Sequence, residues 1–395
     1  MGVKIVKRFY LLIILAFALS GCASVRHAVP VNLSSSAQII GIPDSFRAFW
    51  GQPNSVITQD FILSLKQEAG DCFSFDAEGN KIYSVLAISS GAENGAYGAG
   101  LLKGWSQSGT RPVFKVATGI STGAVIAPFA FLGSAYDQRL EEVYTTYSTK
   151  DILRPKIIFG DSLVSNRPLE RLIEKYFDKQ LLQEIAKEYY KGRRLYIGTT
   201  NLDTQQLVVW NMGKIASLGN DKALALFRKV ILASAAFPGA FPPVFFQVEA
   251  NGKSYDEMHM DGGITKQTFL SYDVLQCLDK AAEINGEKIR YKIYVIRNSY
   301  TDPIWKEVPD KLIPIMWRTV DSLLKAQSNG DIYQLYAFAK MGKGDFNLAC
   351  LPDGYIPHSK ELFDPVEMKK LFDLGFEEAA GGYNWKKVPP GINRD

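Results

Sequence analysis

The chain has 395 residues, of which 47% are hydrophobic and 22% are charged, and this length accommodates one large domain or two smaller ones. This composition is that of an ordinary globular protein and excludes a disordered or collagen-like chain. The formal net charge is only +4, and the charges of both signs are interleaved, so we expect no nucleic-acid partner.

Few residues could bind zinc. The sequence contains three histidines and four cysteines, and none of them forms a CxxC or HExxH pattern. Since zinc sites draw most of their ligands from these two residue types, the sequence predicts no metal site. The residues concerned are His27, His259, His358, Cys22, Cys72, Cys277 and Cys350.

The chain begins with the pattern of a targeting segment. Three basic residues precede an apolar run at 9–19, which is too short to span a bilayer and is typical of a signal peptide. The letters LSGC at 19–22 resemble a bacterial lipobox. This resemblance implies a signal peptide over 1–21, a lipidated Cys22 and, because Ala23 rather than Asp follows, an outer-membrane location facing the periplasm. The alternative is an ordinary secretory peptide with a coincidental cysteine.

Export has a consequence for the thiols. With Cys22 lipidated, three cysteines would remain in an oxidising compartment, which allows at most one disulfide and leaves its pairing open. Residues 22–75 are predicted to form a lipidated tether, since 23–54 are rich in Ser, Pro and Gly. Within it, the cluster Phe46, Phe49 and Trp50 is expected to pack on the domain edge, with contact to lipid as the alternative.

Downstream, buried strands alternate with helices. The nearly continuous apolar run 82–89 is typical of a parallel strand covered on both faces. Strands alternating with helices predict an α/β fold with a mostly parallel central sheet, and after about Thr301 the pattern becomes helical and irregular. The predicted strands are 82–89, 113–118, 194–200, 255–260 and 290–297, and the predicted helices include 96–105, 166–177 and 222–235.

Ser121 lies in a GxSxG motif between an apolar strand and a helix. The glycines, Gly119 and Gly123, permit the sharp turn of a nucleophile elbow, which lifts the serine hydroxyl onto a helix N-terminus. The alternative is a tight strand-to-helix turn with an idle serine. The context favours the nucleophile.

A second small-residue segment, 89–100, follows the first buried strand. Its backbone amides, placed at a helix N-terminus, would stabilise the oxyanion that forms when an ester carbonyl is attacked. A dinucleotide fingerprint would need glycine at Lys103, and a P-loop would need glycine at Gln247. Phosphate binding by these motifs is therefore the poorer interpretation.

A third element is Asp261, followed by Gly262 and Gly263, after a possible strand. An aspartate at such a corner can point into a cleft, although Asp-Gly is also a common turn, as expected at Asp353 and Gly354.

Taken together, the three elements resemble the patatin-like phospholipase family, whose signatures are a glycine-rich oxyanion loop, a GxSxG serine and a downstream Asp-Gly-Gly or Asp-Gly-Ala. The stretches GAYGAGLLKG, TTNLDT and ASAAFPGAFPPV fit the same family, and the resemblance covers 81–265. It departs in the loop, where Ser90, Gly91 and Ala92 stand for three glycines and Asn94 for a basic residue.

This resemblance implies a three-layer fold, with a catalytic domain at 76–300. The helical and irregular pattern after Thr301 predicts a mainly helical C-terminal extension at 301–395. The resemblance also implies a Ser121–Asp261 dyad without histidine, acting on a phospholipid or another acyl-ester lipid, with no cofactor and no specific protein partner. An aspartate is a poor base at its ordinary pKa, so the dyad requires burial. The implied oxyanion amides are those of Gly91, Ala92 and Glu93, and the motif glycines are Gly95, Gly119, Gly123, Gly262 and Gly263.

Two other functions remain open. Ser121, Asp261 and His358 follow the chain order of an α/β-hydrolase triad, although His358 is expected in an exposed loop. His259 either tunes Asp261 from the same strand or, more often for such a residue, is a partly exposed surface histidine. The altered glycine loop alone supports a non-catalytic envelope scaffold.

Overall fold

The computed structural model describes residues 26–42, 46–52, 55–70, 72–155, 164–359 and 361–392. The predicted signal peptide and Cys22 lie outside these residues. The strands are β1 Gln38–Ile39, β2 Arg47–Phe49, β3 Ser74–Phe75, β4 Lys81–Ile88, β5 Val116–Gly119, β6 Arg154–Pro155, β7 Val164–Ser165, β8 Arg194–Asn201, β9 Gln206–Asn211, β10 Val244–Ala250, β11 Lys253–Asp261, β12 Ile289–Arg297 and β13 Asp345–Cys350. The helices are α1 Val56–Lys66, α2 Gly95–Gln107, α3 Thr122–Leu132, α4 Asp137–Thr145, α5 Thr149–Ile152, α6 Arg167–Tyr176, α7 Lys179–Tyr190, α8 Met212–Ser217, α9 Asp221–Ser234, α10 Tyr272–Asn285, α11 Leu312–Met341 and α12 Pro365–Ala380.

An 11-stranded sheet forms the centre of the fold, with the main order β1-β10-β11-β8-β5-β4-β12-β13. The α/β class is therefore confirmed. The five strands from β8 to β13 in this order run parallel. Four of them were predicted, β4 from its continuous apolar run, whereas β13 was not predicted. The other pairings of the sheet are antiparallel, so the sheet is mixed rather than mostly parallel.

Helices cover both faces of this sheet. One apolar core contains residues of α2, α3, α7 and α9, and the second contains residues of α1, α10 and α11. Every residue of β4 after Lys81 is buried, because this central strand lies between the two cores. This is the environment in which a strand needs no polar face.

The predicted tether contributes to the domain. β1 pairs with β10 and β2 pairs with β9, while Phe46 and Phe49 are buried and Trp50 is half-buried. The aromatic cluster therefore packs on the domain, as expected, and the lipid-contact alternative is wrong for its two phenylalanines. The boundary predicted at 75 is wrong because these segments complete the sheet.

The C-terminal third belongs to the same structural unit. β13 pairs in parallel with β12, and α12 packs against α2 so closely that a Cβ on Gly375 would lie 2.2 Å from the Tyr97 carbonyl oxygen. The region is mainly helical, as predicted, but it is not a separate extension, because its strand continues the central sheet.

Two findings bear on the chain's environment. Among the described residues, no helix combines the length and the apolar character needed to cross a membrane. Within the same residues, no disulfide joins Cys72, Cys277 and Cys350.

Candidate active site

Ser121 occupies a strained turn between β5 and α3. Its backbone has φ 56° and ψ −122°, a conformation that is costly for a residue with a side chain. A Cβ on Gly119 would lie 2.2 Å from the Gly123 carbonyl oxygen, and one on Gly123 would lie 2.3 Å from the Ile88 carbonyl oxygen. The turn therefore requires glycine at both motif positions, and it places Ser121 at the N-terminus of α3.

The turn is held from behind by Ser234. The backbone N–H of Ser121 donates to the Ser234 hydroxyl at 3.0 Å, and that hydroxyl donates to the Gly198 carbonyl oxygen at 2.7 Å. Ser234 ends α9, and Gly198 lies in β8. Three elements that are distant in sequence thus fix the position of Ser121.

Sheet register brings Ser121 and Asp261 together. β5 ends with Gly119 opposite Ile197 of β8, and β11 ends with Asp261 opposite Thr199 of β8. Since β9 occupies the other edge of β8 over these residues, β5 and β11 meet end to end along one edge. A serine two residues beyond Gly119 therefore reaches the level of Asp261.

Asp261 is buried and accepts two hydrogen bonds. Asp261 is only 2% exposed. Its carboxyl accepts hydrogen bonds from the Ser121 hydroxyl and from the Gly263 backbone N–H at 2.7 Å. Burial raises the pKa of Asp261 from 3.8 to about 7, although the two hydrogen bonds act in the opposite direction. The carboxyl is thus a far stronger base than an exposed aspartate.

The glycine-rich segment faces the dyad across the same cavity. Gly91, Ala92 and Glu93 line this cavity with Ser121 and Asp261. A Cβ on Gly91 would lie 2.1 Å from the Asn298 carbonyl oxygen, so only glycine fits. Since the Glu93 side chain accepts a hydrogen bond from its own backbone N–H, the amides of Gly91 and Ala92 are the better placed donors for an oxyanion.

Two further motif glycines allow close packing around the dyad. A Cβ on Gly95 would lie 2.1 Å from the Thr122 Oγ1, and one on Gly262 would lie 2.6 Å from the Gly198 carbonyl oxygen. Gly95 therefore lets the oxyanion segment approach the Ser121 turn, and Gly262 lets the Asp261 corner approach β8.

The cavity has a volume of about 780 Å³. Most of its wall is apolar and comes from α3, α4, α6 and the segment after α9. Such a wall suits a hydrocarbon chain, whose transfer from water is favourable. The apolar residues include Val125, Val143, Ile152, Leu153, Leu169, Leu172, Ile173, Phe177, Phe237 and Phe241.

Comparison with known proteins agrees with this arrangement. Residues 86–271 match the family model described as patatin-like phospholipase. This segment is a patatin-like phospholipase domain. It contains the Ser121 turn, the segment after β4 and Asp261, and it supports a lipid acyl hydrolase function.

The chain is also similar to solved structures, among them that of VipD from Legionella pneumophila. The two share 9% sequence identity with a TM-score of 0.40, over 78% of this chain and 68% of that chain. No curated protein sequence matches the chain.

Neither His259 nor His358 lines the cavity that contains Ser121 and Asp261. His259 is fully buried and its ring nitrogens contact Thr199 Oγ1 at 2.9 Å and Glu257 Oε2 at 3.0 Å. The expectation of a partly exposed His259 was therefore wrong, because β11 is covered by Phe246 and Trp210. His358 is exposed and does not line the cavity, which argues against a histidine triad.

Two polar residues that contact the segment after β4 were not predicted. Asn298 follows β12 and binds Ser89, through its backbone N–H to Oγ at 2.9 Å and its Nδ2 to the carbonyl oxygen at 3.0 Å. Gln267 contacts Ser90 Oγ and donates to the Gly263 carbonyl oxygen at 2.7 Å. Asn298 could have been found from its position directly after a predicted strand, whereas no sequence feature marked Gln267 as part of the site.

No cluster of metal-ligating side chains occurs among the residues that the structure describes. The site is instead built from one hydroxyl, one carboxyl and backbone amides.

Proposed function

We propose that the chain is a serine acyl-ester hydrolase of the phospholipase A or lysophospholipase type, with Ser121 as nucleophile and Asp261 as general base. The observation that carries the proposal is the hydrogen bond from the Ser121 hydroxyl to a buried carboxyl of raised pKa, in the wall of an apolar cavity. A hydroxyl paired with a base is the arrangement that nucleophilic catalysis requires.

The reaction proceeds in two steps. The Ser121 Oγ attacks the acyl carbonyl while its proton passes to Asp261, and the backbone amides of Gly91 and Ala92 stabilise the oxyanion. The ester bond then breaks, the leaving alcohol takes the proton from Asp261, and the acyl group stays on Ser121. Water, activated by Asp261, releases the fatty acid and restores the serine.

The altered loop remains compatible with this role. Alanine keeps a backbone amide, and Ala92 has a positive φ of 48°, the conformation that the glycine of a family loop adopts freely. We therefore favour an active enzyme over a scaffold.

For the cellular location, we propose attachment to the outer membrane through a lipidated Cys22. The basic and apolar pattern at the N-terminus, followed by LSGC at 19–22, supports this location. It would hold the enzyme beside phospholipid.

The test is hydrolysis of a fatty-acyl ester by the purified protein and by variants of the two residues. Ser121→Ala and Asp261→Asn should each lower kcat by at least about 10³-fold. Ser134→Ala and Asp353→Asn are matched controls, because Ser134 is exposed and Asp353 lies in another Asp-Gly turn. Both controls should keep the parent rate.

Two further measurements separate the alternatives. If His358→Ala abolished turnover, a triad would replace the dyad. If the parent protein cleaved no acyl ester and a fluorophosphonate probe did not label Ser121, the scaffold would be the better function.

A further inference from the structure

Arg297 is a buried cation in the wall of the proposed catalytic cavity. It ends β12, is only 4% exposed, and lines the same cavity as Ser121 and Asp261. Its Nε has no hydrogen-bond partner, and its Nη1 lies 3.5 Å from Gln267 Oε1, which is at the limit for a hydrogen bond. Because a buried charge without partners is costly, this guanidinium is suited to an anionic ligand.

The carboxylate that most affects Arg297 is already paired with other groups. Burial lowers the pKa of Arg297 to about 10, although the charge of Asp331 acts in the opposite direction. The two oxygens of Asp331 accept from Lys266 Nζ at 2.8 Å and from the Gln267 backbone N–H at 2.7 Å. Within the described part of the chain, Arg297 has no ion pair of its own.

Lys325 of α11 supplies a second cation to the same cavity. Its Nζ donates one hydrogen bond, to the Asp302 carbonyl oxygen at 2.7 Å, which leaves two N–H groups for a ligand. Burial lowers the pKa of Lys325, and the charge of Arg297 lowers it further. The two cations therefore lie close enough to repel each other, and an anion between them would relieve that repulsion.

Within the described residues, no acidic residue of the cavity wall forms an ion pair with Arg297 or Lys325, although the charge of Asp321 raises the pKa of Lys325. Asp321 accepts from Arg318 at 2.8 Å, and burial raises the pKa of Glu93, which favours its neutral form. Asp261 is occupied by the Ser121 hydroxyl and the Gly263 amide.

A short chain of contacts connects Arg297 to the dyad. Arg297 contacts Gln267, Gln267 donates to the Gly263 carbonyl oxygen at 2.7 Å, and the Gly263 N–H donates to Asp261 at 2.7 Å. An anion on Arg297 would thus lie near the reacting ester rather than in the hydrocarbon part of the cavity. In a glycerophospholipid, the phosphate and the acyl esters are attached to the same glycerol, so a phosphate bound by Arg297 is compatible with an ester carbonyl at Ser121.

We propose that Arg297 and Lys325 form an anion subsite that binds the phosphate of a phospholipid or lysophospholipid whose acyl carbonyl lies at Ser121. This inference rests on the proposed hydrolase function and specifies its substrate class. The bidentate fork of arginine matches two phosphate oxygens, and lysine adds a point charge. Arg297 is therefore a specificity residue for phosphate-bearing esters.

The test compares two substrates with the same acyl chain, 1-oleoyl-lysophosphatidylcholine and 1-oleoylglycerol, in mixed detergent micelles. We expect Arg297→Gln to lower kcat/KM for the lysophospholipid by about tenfold or more, since a charge-assisted hydrogen bond is lost, and to change that for the monoacylglycerol by less than about twofold. Arg297→Lys should restore part of the difference, and Lys325→Gln should show a smaller loss. Lys340→Gln is the control for Lys325, because the exposed Lys340 lies on the same helix, α11, but not in the cavity wall.

Each other outcome overturns the inference in a recognisable way. If Arg297→Gln lowered kcat/KM equally on both substrates while the fluorophosphonate probe still labelled Ser121, the role of Arg297 would be structural. If kcat/KM were unchanged on both substrates, Arg297 would not bind the substrate. If Arg297→Gln weakened only product inhibition by oleate, the subsite would hold the fatty-acid carboxylate instead of phosphate. If the parent protein cleaved neither ester, the proposed function itself would fail.

Discussion

Asp261 carries a prediction about pH. Since burial raises its pKa to about 7, a large fraction of this base is protonated and inactive at neutral pH. We expect kcat/KM on a neutral ester to rise with pH, with a midpoint near 7, because only the ionised carboxyl accepts the serine proton.

The control for this profile is Glu93→Gln, because Glu93 also lines the cavity and burial raises its pKa as well. The midpoint should not move in this variant. A midpoint that disappears in Glu93→Gln would assign the titration to Glu93 and remove Asp261 as the base.

The same shift predicts an effect on stability. The folded-state pKa of Asp261 lies above its ordinary value of 3.8, so the proton binds the folded state more tightly, and this stabilisation is present at low pH and is lost as pH rises through about 7. Asp261→Asn removes the buried charge, and we expect it to raise the free energy of unfolding, relative to the parent, by roughly 1–4 kcal/mol at pH 9 and little at pH 4. Chemical denaturation at both pH values measures this difference, and Asp353→Asn should show no such pH-dependent gain.

Ala92 has a backbone conformation that is strained for a residue with a side chain. Its φ of 48° is costly for alanine by about 1 kcal/mol, so Ala92→Gly should stabilise the protein by up to that amount while keeping the amide that is proposed to bind the oxyanion. Ala225→Gly, in the exposed face of α9, should instead destabilise by about 1 kcal/mol. Thermal unfolding compares the two, and a loss of stability in Ala92→Gly would contradict the strain argument.

At the scale of elements, the N-terminal half of α11 is unusual in the number of large apolar side chains that it exposes. Leu312, Ile313 and Leu323 are 73%, 67% and 65% exposed, and the same stretch supplies Trp317 and Val320 to the cavity wall. An exposed apolar surface of this kind is typical of an interaction site. Since the same helix lines the cavity, we expect a lipid substrate to contact this surface before it reaches Ser121.

We therefore expect the combined change of Leu312, Ile313 and Leu323 to serine to lower hydrolysis of phospholipid vesicles by about tenfold and to leave hydrolysis of a soluble short-chain ester unchanged. The matched control is Ile284→Ser, since Ile284 is 84% exposed on α10 outside the cavity wall. Equal loss on vesicles and on the soluble ester would show that the surface serves folding rather than lipid contact.

The sequence predicted the central strands because their environment is uniform. β4 is buried on both faces and carries a nearly continuous apolar run, and β12 is apolar and buried over 293–296, so local composition was sufficient. The antiparallel edge could not be predicted in the same way. β10 and β11 alternate more in burial, and their partners, β1 and β8, are distant in sequence.

In the candidate site, too, residues in local motifs were predicted, and residues that depend on contacts between distant segments were not. Ser121 and Asp261 stood in local motifs, whereas Gln267, Asn298 and Arg297 act through pairings that join separate strands and turns. His259 was misjudged because a two-residue period reports which face a side chain takes, but not whether that face is covered.

For the whole molecule, the close contact of α2 with α12 predicts that the C-terminal region supports the catalytic loop. A Cβ on Gly375 would meet the Tyr97 carbonyl oxygen at 2.2 Å, whereas a Cβ on Gly381 would meet nothing within 4 Å. Gly375→Ala should therefore destabilise by about 1–3 kcal/mol and lower esterase activity, while Gly381→Ala should change neither. Full activity in a destabilised Gly375→Ala protein would show that the contact between α2 and α12 does not support the catalytic loop.

This contact also sets an order of events during biosynthesis. The segment proposed to stabilise the oxyanion leads directly into α2, yet α2 gains its partner only when residues 365–380 have left the ribosome. Ser121 and Asp261 are made much earlier, but their surroundings stay incomplete until that point. We therefore expect a nascent chain to gain hydrolase activity only after this last helix has been made.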